Sequence, residues 1–272
     1  MKRKFFQMSI ELTNRQWSSN LLKQFTKSKL SKPFIPMFIK TYKIKHEEAI
    51  LPYKEHGSLH SFFTRQINME NRPINQEEKS VVSPVDGRCE EAGEIKQDAT
   101  FVVKGQSYRL EDMLQSEAKA KQFEGGTYVI LYLSPSDYHR VHSPMNCHLS
   151  ESTTLGSRSY PVNEPGLKYG RKPLSHNYRI VNDLYQGAIQ YAMIEVGAMN
   201  INSIVRTKAG SVWEKGEEVG YFSFGSTVIL LFEKNAFSLA LHDKNVKVGE
   251  KIGTLQPNNS HSLEKTNVRK AL

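Results

Sequence analysis

Four positions in this 272-residue chain could do chemistry together: Asp86 in "SPVDGR", His139 and His142 in "YHRVHSP", and Ser226 in "SFGSTVILLFEK". An acid, a base and a hydroxyl can activate a serine if the fold brings them together. Each position also has a plainer reading. Aspartate before glycine is a turn signature, and Gly225-Ser226 suits a turn at the mouth of a strand. The two histidines lie between Pro135 and Pro144, which places them in an irregular segment and not on one helix face. A zinc site would need more ligands, and Cys147 is the only obvious local candidate. Metal-dependent hydrolysis through His139 and His142 is therefore an alternative, and no metal is assigned.

The elements around these residues read mostly as strands, at 81–83, 88–95, 100–104, 127–133, 147–153, 188–196, 200–207, 217–222, 227–233 and 237–241. A helix is expected at 109–120, a short helix capped by Ser58 at 58–67, and a long polar loop at 155–185. Upstream, Thr13 with Gln16 fits a capping box, and Pro33 stops the helix that follows. Trp17, Leu21, Leu22 and Phe25 recur on it at helical spacing. The fold class expected is α+β, with a mostly β, barrel- or sandwich-like catalytic domain behind an N-terminal helical segment.

Composition narrows the function. With 38% hydrophobic residues the chain is globular, and its two cysteines suit a reducing compartment. No apolar run is long enough to span a bilayer, and no signal-peptide core follows the first basic residues. The formal charge of +9 is uneven: residues 1–45 hold eleven Lys or Arg and one acid, so the remaining chain is near neutral. A nucleic-acid enzyme would carry its basic residues around the working surface. A basic, aromatic segment on a neutral body reads instead as an anchor to an anionic membrane surface. The division expected is a docking segment at 1–45 and a catalytic domain at 46–272.

There is also an internal echo. "KGEEVGYF" (215–222) resembles "VGEKIGTL" (248–255), units that make tight hairpin turns in small barrel-like sheets of the lipoyl and biotinyl carrier type. "GAMN" (197–200) has asparagine where such carriers present a modified lysine, so no amide-linked cofactor can form there.

Separated stretches converge on one family. "FFTR" (62–65) with "RPI" (72–74), "SPVDG" (83–87), "YHRVHSP" (138–144) and "FGST" (224–227) occur in that family's order. The chain resembles the phosphatidylserine decarboxylases of prokaryotic type, pyruvoyl-dependent enzymes of phospholipid synthesis, from about residue 9 to 255. The family commonly has Leu-Gly-Ser-Thr where this chain has Phe224, and the Gly-Ser pair is intact.

The resemblance implies that Ser226 attacks the carbonyl of Gly225. The ester that forms then breaks by β-elimination, and the residue left behind loses ammonia to become a pyruvoyl group. Glycine before the serine would leave the carbonyl open and permit a strained turn. The products, 1–225 and 226–272, would stay together as a heterodimer, with a higher oligomer also conceivable. The pyruvoyl ketone takes the role pyridoxal phosphate plays elsewhere, an electron sink for the carbanion left when carbon dioxide departs. By the same resemblance Asp86 orients His142, which takes the Ser226 proton, while His139 serves decarboxylation. The expected reaction converts phosphatidylserine to phosphatidylethanolamine, by a peripheral enzyme on the cytoplasmic side of the cell membrane. A non-catalytic barrel module for membrane or partner binding is the rival, and an uncleaved chain would favour it.

Overall fold

The structure, a computed structural model, describes residues 16–198 and 203–256. Its centre is an eight-stranded antiparallel sheet. Across it run Val212–Trp213, Cys147–Leu155, Arg179–Gln186, Ile189–Gly197, Ser226–Phe232, Thr127–Leu133, Gly87–Glu94 and Asn245–Val246. The strand Ser226–Phe232 is buried at every residue, because both faces of the sheet are covered. That is why it reads as a continuous apolar run and not as an alternating one.

Val228, Leu230 and Phe232 point to one face. They pack there with Val81, Val141, Val219, Phe222 and Ile252, which come from two three-stranded sheets laid over it. One of these sheets is Ile204–Arg206, Glu218–Phe222 and Arg140–His142; the other is Ser80–Val82, Lys251–Leu255 and Phe237–Leu239. Ile229 and Leu231 point the other way, into a core closed by Phe101, Tyr108, Leu110 and Met113. The architecture is a mixed α+β sandwich of mostly antiparallel strands, as expected.

Several boundaries differ from the sequence reading. The region 155–185 is not one loop: it holds short helices at Glu164–Tyr169 and Pro173–His176 and most of the strand Arg179–Gln186. That strand is polar in sequence, with Arg179, Asn182 and Asp183, yet Arg179 is fully buried. Its guanidinium donates to the carbonyls of Met113 at 2.7 Å, Asn177 at 3.0 Å and Asp112 at 3.0 Å. Burial lowers its pKa to about 10, and the three carbonyls satisfy the cation in place of water. The helix expected at 109–120 is two, Leu110–Leu114 and Glu117–Gln122, separated where Gln115 adopts φ +50°.

The N-terminal helix covers Gln16–Lys27; the Thr13 cap lies outside the described residues. A 3-10 turn, Lys29–Phe34, carrying Pro33 leads into a second helix, Ile35–Tyr42. Ile35 and Ile44 share a small core with Phe62, and Leu59 N–H donates to Ser31 Oγ at 2.9 Å. The helix Leu59–Phe63 begins, as expected, at Ser58, whose hydroxyl and that of Ser61 cap each other's backbone amides.

The echo of the sequence is a repeated turn. Ser143 N–H donates to Glu217 O and Ser83 N–H to Glu250 O, both at 2.8 Å. Gly216 N–H returns a bond to Ser143 O, and Gly249 N–H returns one to Ser83 O. The two turns cross-link, His142 N–H to Pro84 O at 2.8 Å and Val82 N–H to Pro144 O at 2.9 Å. Ile74 of "RPI" lies between them: a Cβ on either Gly216 or Gly249 would come within 2.7 Å of its Cδ1.

Candidate active site

Ser226 opens the central strand, opposite Leu133 on one side and Gly197 on the other. Its side chain shares a face with Val228 and Leu230, toward the layer that holds Arg140–His142. Ser226 Oγ is fully buried and has no hydrogen-bond partner among the described residues. Buried polar atoms are normally satisfied, so an orphaned hydroxyl in this position asks for a chemical reason. The preceding carbonyl is held: Ala198 N–H donates to Gly225 O at 2.8 Å.

The strained turn expected at Gly225 is absent. Its φ is not positive, and a Cβ there would meet only Ala198 Cβ, at 3.9 Å. What glycine supplies is an unshielded carbonyl carbon. That residue and Phe224 line a cavity of about 620 Å³, shared with Leu22 and Phe38 of the N-terminal helices and with His60 and Phe63. Among the described residues no Asp, Glu, Lys or Arg lines it, and burial, reinforced by Lys27 and Lys23, pushes His60 down to about 4, leaving it neutral.

The two histidines differ. His139 is buried, with its Nδ1 2.9 Å from the Asp137 carbonyl. A carbonyl only accepts, so Nδ1 carries the proton and Nε2 is a bare lone pair, without a partner among the described residues. Burial pushes its pKa down to about 3, so the ring is neutral. It packs at 4.1 Å between centroids on Phe63, whose ring neighbours Phe224. His142 has the same tautomer, with Nδ1 2.8 Å from Gly216 O, but its Nε2 accepts from the Tyr138 hydroxyl at 3.2 Å. Burial lowers its pKa too, against the pull of Glu218 and Asp86.

Asp86 lies close enough to act on His142 through its charge, yet its oxygens bond elsewhere. Arg72 Nε donates to both, at 2.9 and 3.0 Å, Arg72 Nη2 adds a bond of 2.6 Å, and Val248 N–H donates at 2.9 Å. Arg72 Nη2 also pairs with Glu48 at 2.7 Å. The structure thus joins Asp86 to Arg72 and His142 to Tyr138; no hydrogen bond among the described residues joins Asp86, His142 and Ser226 directly.

The sequence reading gave no role to Arg72, Tyr138 or Ala198. Arg72 lay in plain view within "RPI", but its partner is fourteen residues away across a turn. Cys147 is buried against Ser143, and among the described residues no three His, Cys, Asp or Glu side chains gather as a metal site would need.

A family profile described as phosphatidylserine decarboxylase matches residues 59–254, which takes in every position discussed above as a candidate for the chemistry. A phosphatidylserine decarboxylase proenzyme of Bacillus subtilis (strain 168) is 50% identical over 247 residues, 90% of this chain and 94% of that one. The proenzyme of Halalkalibacterium halodurans is 45% identical over 256 residues, covering 93% of this chain and 99% of its own. That of Geobacillus sp. (strain WCH70) is 44% identical over 254 residues, covering 92% and 98%. A precursor whose central strand opens on a buried, unpartnered serine, matched at this identity along nearly its whole length, belongs to the phosphatidylserine decarboxylase family.

Proposed function

We propose that Ser226, Gly225, Asp86, His139 and His142 carry out the maturation and turnover of a phosphatidylserine decarboxylase. The enzyme is a carboxy-lyase that releases carbon dioxide from phosphatidylserine, made as a proenzyme that cleaves itself at a serine to create a covalent pyruvoyl group. Once formed, that group supplies the electron sink which no ordinary side chain offers.

The observation that carries the assignment is the orphaned Ser226 hydroxyl next to a carbonyl held by Ala198 N–H. Attack of Oγ on the Gly225 carbon puts negative charge on the carbonyl oxygen, and the Ala198 amide, already aimed at it, stabilises that charge. His142 takes the Ser226 proton; burial favours its neutral, proton-accepting form, and the Gly216 carbonyl with the charges of Glu218 and Asp86 then eases the imidazolium that forms. Tyr138 holds the accepting nitrogen at rest, so its hydroxyl turns away or relays the proton in this step. His139 acts in turnover, where its bare Nε2, next to the Phe63 and Phe224 wall, positions the substrate or moves a proton at Cα. Wild-type protein separates on a denaturing gel into chains of 1–225 and 226–272, the smaller one blocked at its N-terminus. Ser226→Ala stays a single chain, and cleavage of that variant at this bond would refute the assignment.

The segment 1–45 docks the enzyme, peripherally and on the cytoplasmic side, to an anionic membrane. Leu21, Leu30 and Met37 are 61%, 75% and 60% exposed, with Leu22, Phe25, Phe34 and Tyr42 also open to solvent on the same run. Exposed apolar groups so concentrated mark an interaction surface. Lys23, Lys27, Lys29, Lys32 and Lys40 stand among them, as on an interfacial helix. Leu22, Phe38 and Tyr42 belong at once to this segment and to the wall of the cavity that reaches Gly225, a route from bilayer to reacting bond. Among the described residues no helix is long and apolar enough to cross a membrane. Removing residues 1–32 should cut binding to phosphatidylserine-containing vesicles far more than it cuts self-cleavage, with salt weakening only part of the wild-type binding. Equal binding by both forms would sink this role.

A further inference from the structure

The Gly225–Ser226 junction has a second hydroxyl beside it. Because Ala198 N–H bonds Gly225 O, residues 225 and 198 form a hydrogen-bonded pair across the strands. The next pair, Ser226 opposite Gly197, is then of the non-hydrogen-bonded kind. Side chains approach most closely in such pairs, with Cα atoms about 4.5 Å apart. Gly197 has no side chain to place there, and Ser203 fills the space instead: a Cβ on Gly197 would collide with Ser203 Oγ.

The arrangement is fixed from several sides. Gly197 N–H donates to Tyr178 O at 2.9 Å, and Gly197 O accepts from Asn177 Nδ2 at 2.9 Å. Ser203 O accepts from Ser223 N–H at 2.7 Å, which ties Ser203 to the chain three residues before the reacting serine. Ser203 is completely buried, and neither its Oγ nor that of Ser226 has a partner among the described residues. An alanine would fill the same space without the cost of desolvating a hydroxyl. Two orphaned hydroxyls on one face of the sheet, Ser226 in the strand and Ser203 over Gly197 opposite it, are each other's natural partner.

We propose that Ser203 is a positioning residue for the Ser226 nucleophile. A hydrogen bond between the two Oγ atoms, direct or through one water, selects the Ser226 rotamer that aims its oxygen at the Gly225 carbonyl carbon. In the step it serves, the Ser226 oxygen bonds to the Gly225 carbon and the Gly225–Ser226 amide bond breaks. The hydroxyl proton travels through the histidine base to the departing amine, and Ser203 is neither consumed nor ionised. The inference rests on the reading of Ser226 as the nucleophile.

The experiment follows conversion of the full chain into its two products for wild type, Ser203→Ala, Ser203→Thr, Ser203→Cys and Ser226→Ala, with and without hydroxylamine. Hydroxylamine cleaves an accumulated ester but does nothing for a chain that has not yet been attacked. Ser203→Ala should cleave at least tenfold more slowly and be insensitive to hydroxylamine, and Ser203→Thr should recover much of the rate. Cysteine keeps the shape but hydrogen-bonds weakly, so Ser203→Cys should remain slow even if the alanine variant folds poorly. Wild-type cleavage by Ser203→Ala or Ser203→Cys would overturn the role. So would rapid release of 1–225 by hydroxylamine from Ser203→Ala, because Ser203 would then act after the attack. Cleavage of Ser226→Ala is a separate failure, of the nucleophile itself.

Discussion

The turn at Ser83–Gly87 and the turn at Ser143–Cys147 are built on one plan. In each, a serine following Val82 or His142 donates its hydroxyl to the carbonyl two residues on, Ser83 to Val85 at 2.6 Å and Ser143 to Met145 at 2.7 Å. In each, the side chain three after the serine accepts a backbone amide from the paired glycine turn: Asp86 from Val248 at 2.9 Å, Asn146 from Lys215 at 2.8 Å. Even the glutamates of the paired turns repeat a local bond, Glu250 accepting from Lys247 N–H and Glu217 from Glu214 N–H, both at 3.0 Å. The copies part at the residues proposed to carry the chemistry. His142 stands where the other copy has Val82, and Asp86 where the other has Asn146. Asn146 makes the turn bond without a charge. The turn bond itself therefore does not require the charge on Asp86, which acts instead on the buried Arg72 and on His142.

Substitution at Asp86 tests this most severely. Asp86→Ala removes both the turn acceptor and the charge, and should abolish self-cleavage. Asp86→Asn makes the first copy like the second, keeping the turn bond, and should still fall at least ~100-fold in cleavage rate if the charge serves the base. Asn146→Ala loses only a turn bond and should mature. Circular dichroism with a gel time course separates folding from processing, and normal maturation of Asp86→Asn would leave the asymmetry without chemical meaning.

The histidines sharpen it next. His142→Ala should accumulate uncleaved chain. His139→Ala should cleave and gain its cofactor yet release carbon dioxide at least ~100-fold more slowly, the scale of a lost acid–base group. Partial overlap is expected, because the two rings lie three residues apart and the mutations need not be independent. The reverse pattern would exchange the two roles, a test made pointed by the bare Nε2 of His139 and the occupied one of His142.

The smallest effect concerns the shared plan itself. Gly216 and Gly249 have φ of +79° and +86°, and a Cβ on either would press on Ile74. Alanine at either should lower stability by about 1–3 kcal/mol, the usual cost of such a backbone for a residue with a Cβ. Gly57, which has nothing within 4 Å of its Cβ position, is the control. Unequal urea midpoints for the two alanine variants would show that the turns are alike in form and not in load.

The same contrast explains what could be read in the sequence. The strands 127–133 and 227–233, the Ser58 cap and the echoed turns declare themselves locally, by apolar runs, a capping hydroxyl and glycine spacing. The strand Arg179–Gln186 did not, because the burial of its Arg179 depends on carbonyls offered by residues 112 and 113. The single helix expected at 109–120 failed for a similar reason in miniature: Leu114 is buried and the chain turns at Gln115 to keep it so. Asp86, His139, His142 and Ser226 were visible as residue types, but the Arg72 and Tyr138 bonds that occupy Asp86 and His142 exist only once distant segments meet.

The strand Ser226–Phe232 lies between Ile189–Gly197 and Thr127–Leu133, paired along its whole length on both sides. In the order of translation it is the last of these three to leave the ribosome. The sheet cannot close before it arrives, and the serine cannot meet its surroundings until the sheet closes. With Ser226 in the proposed role, formation of the cofactor is therefore a checkpoint on folding: a chain that has not completed its centre has no means of arming itself. The checkpoint also works in one direction only. With scission at the proposed Gly225–Ser226 bond, the seven-residue strand and the rest of 226–272 are joined to 1–225 by non-covalent pairing alone, so separated chains that are later unfolded must find each other by collision, a bimolecular search the newborn chain never faces.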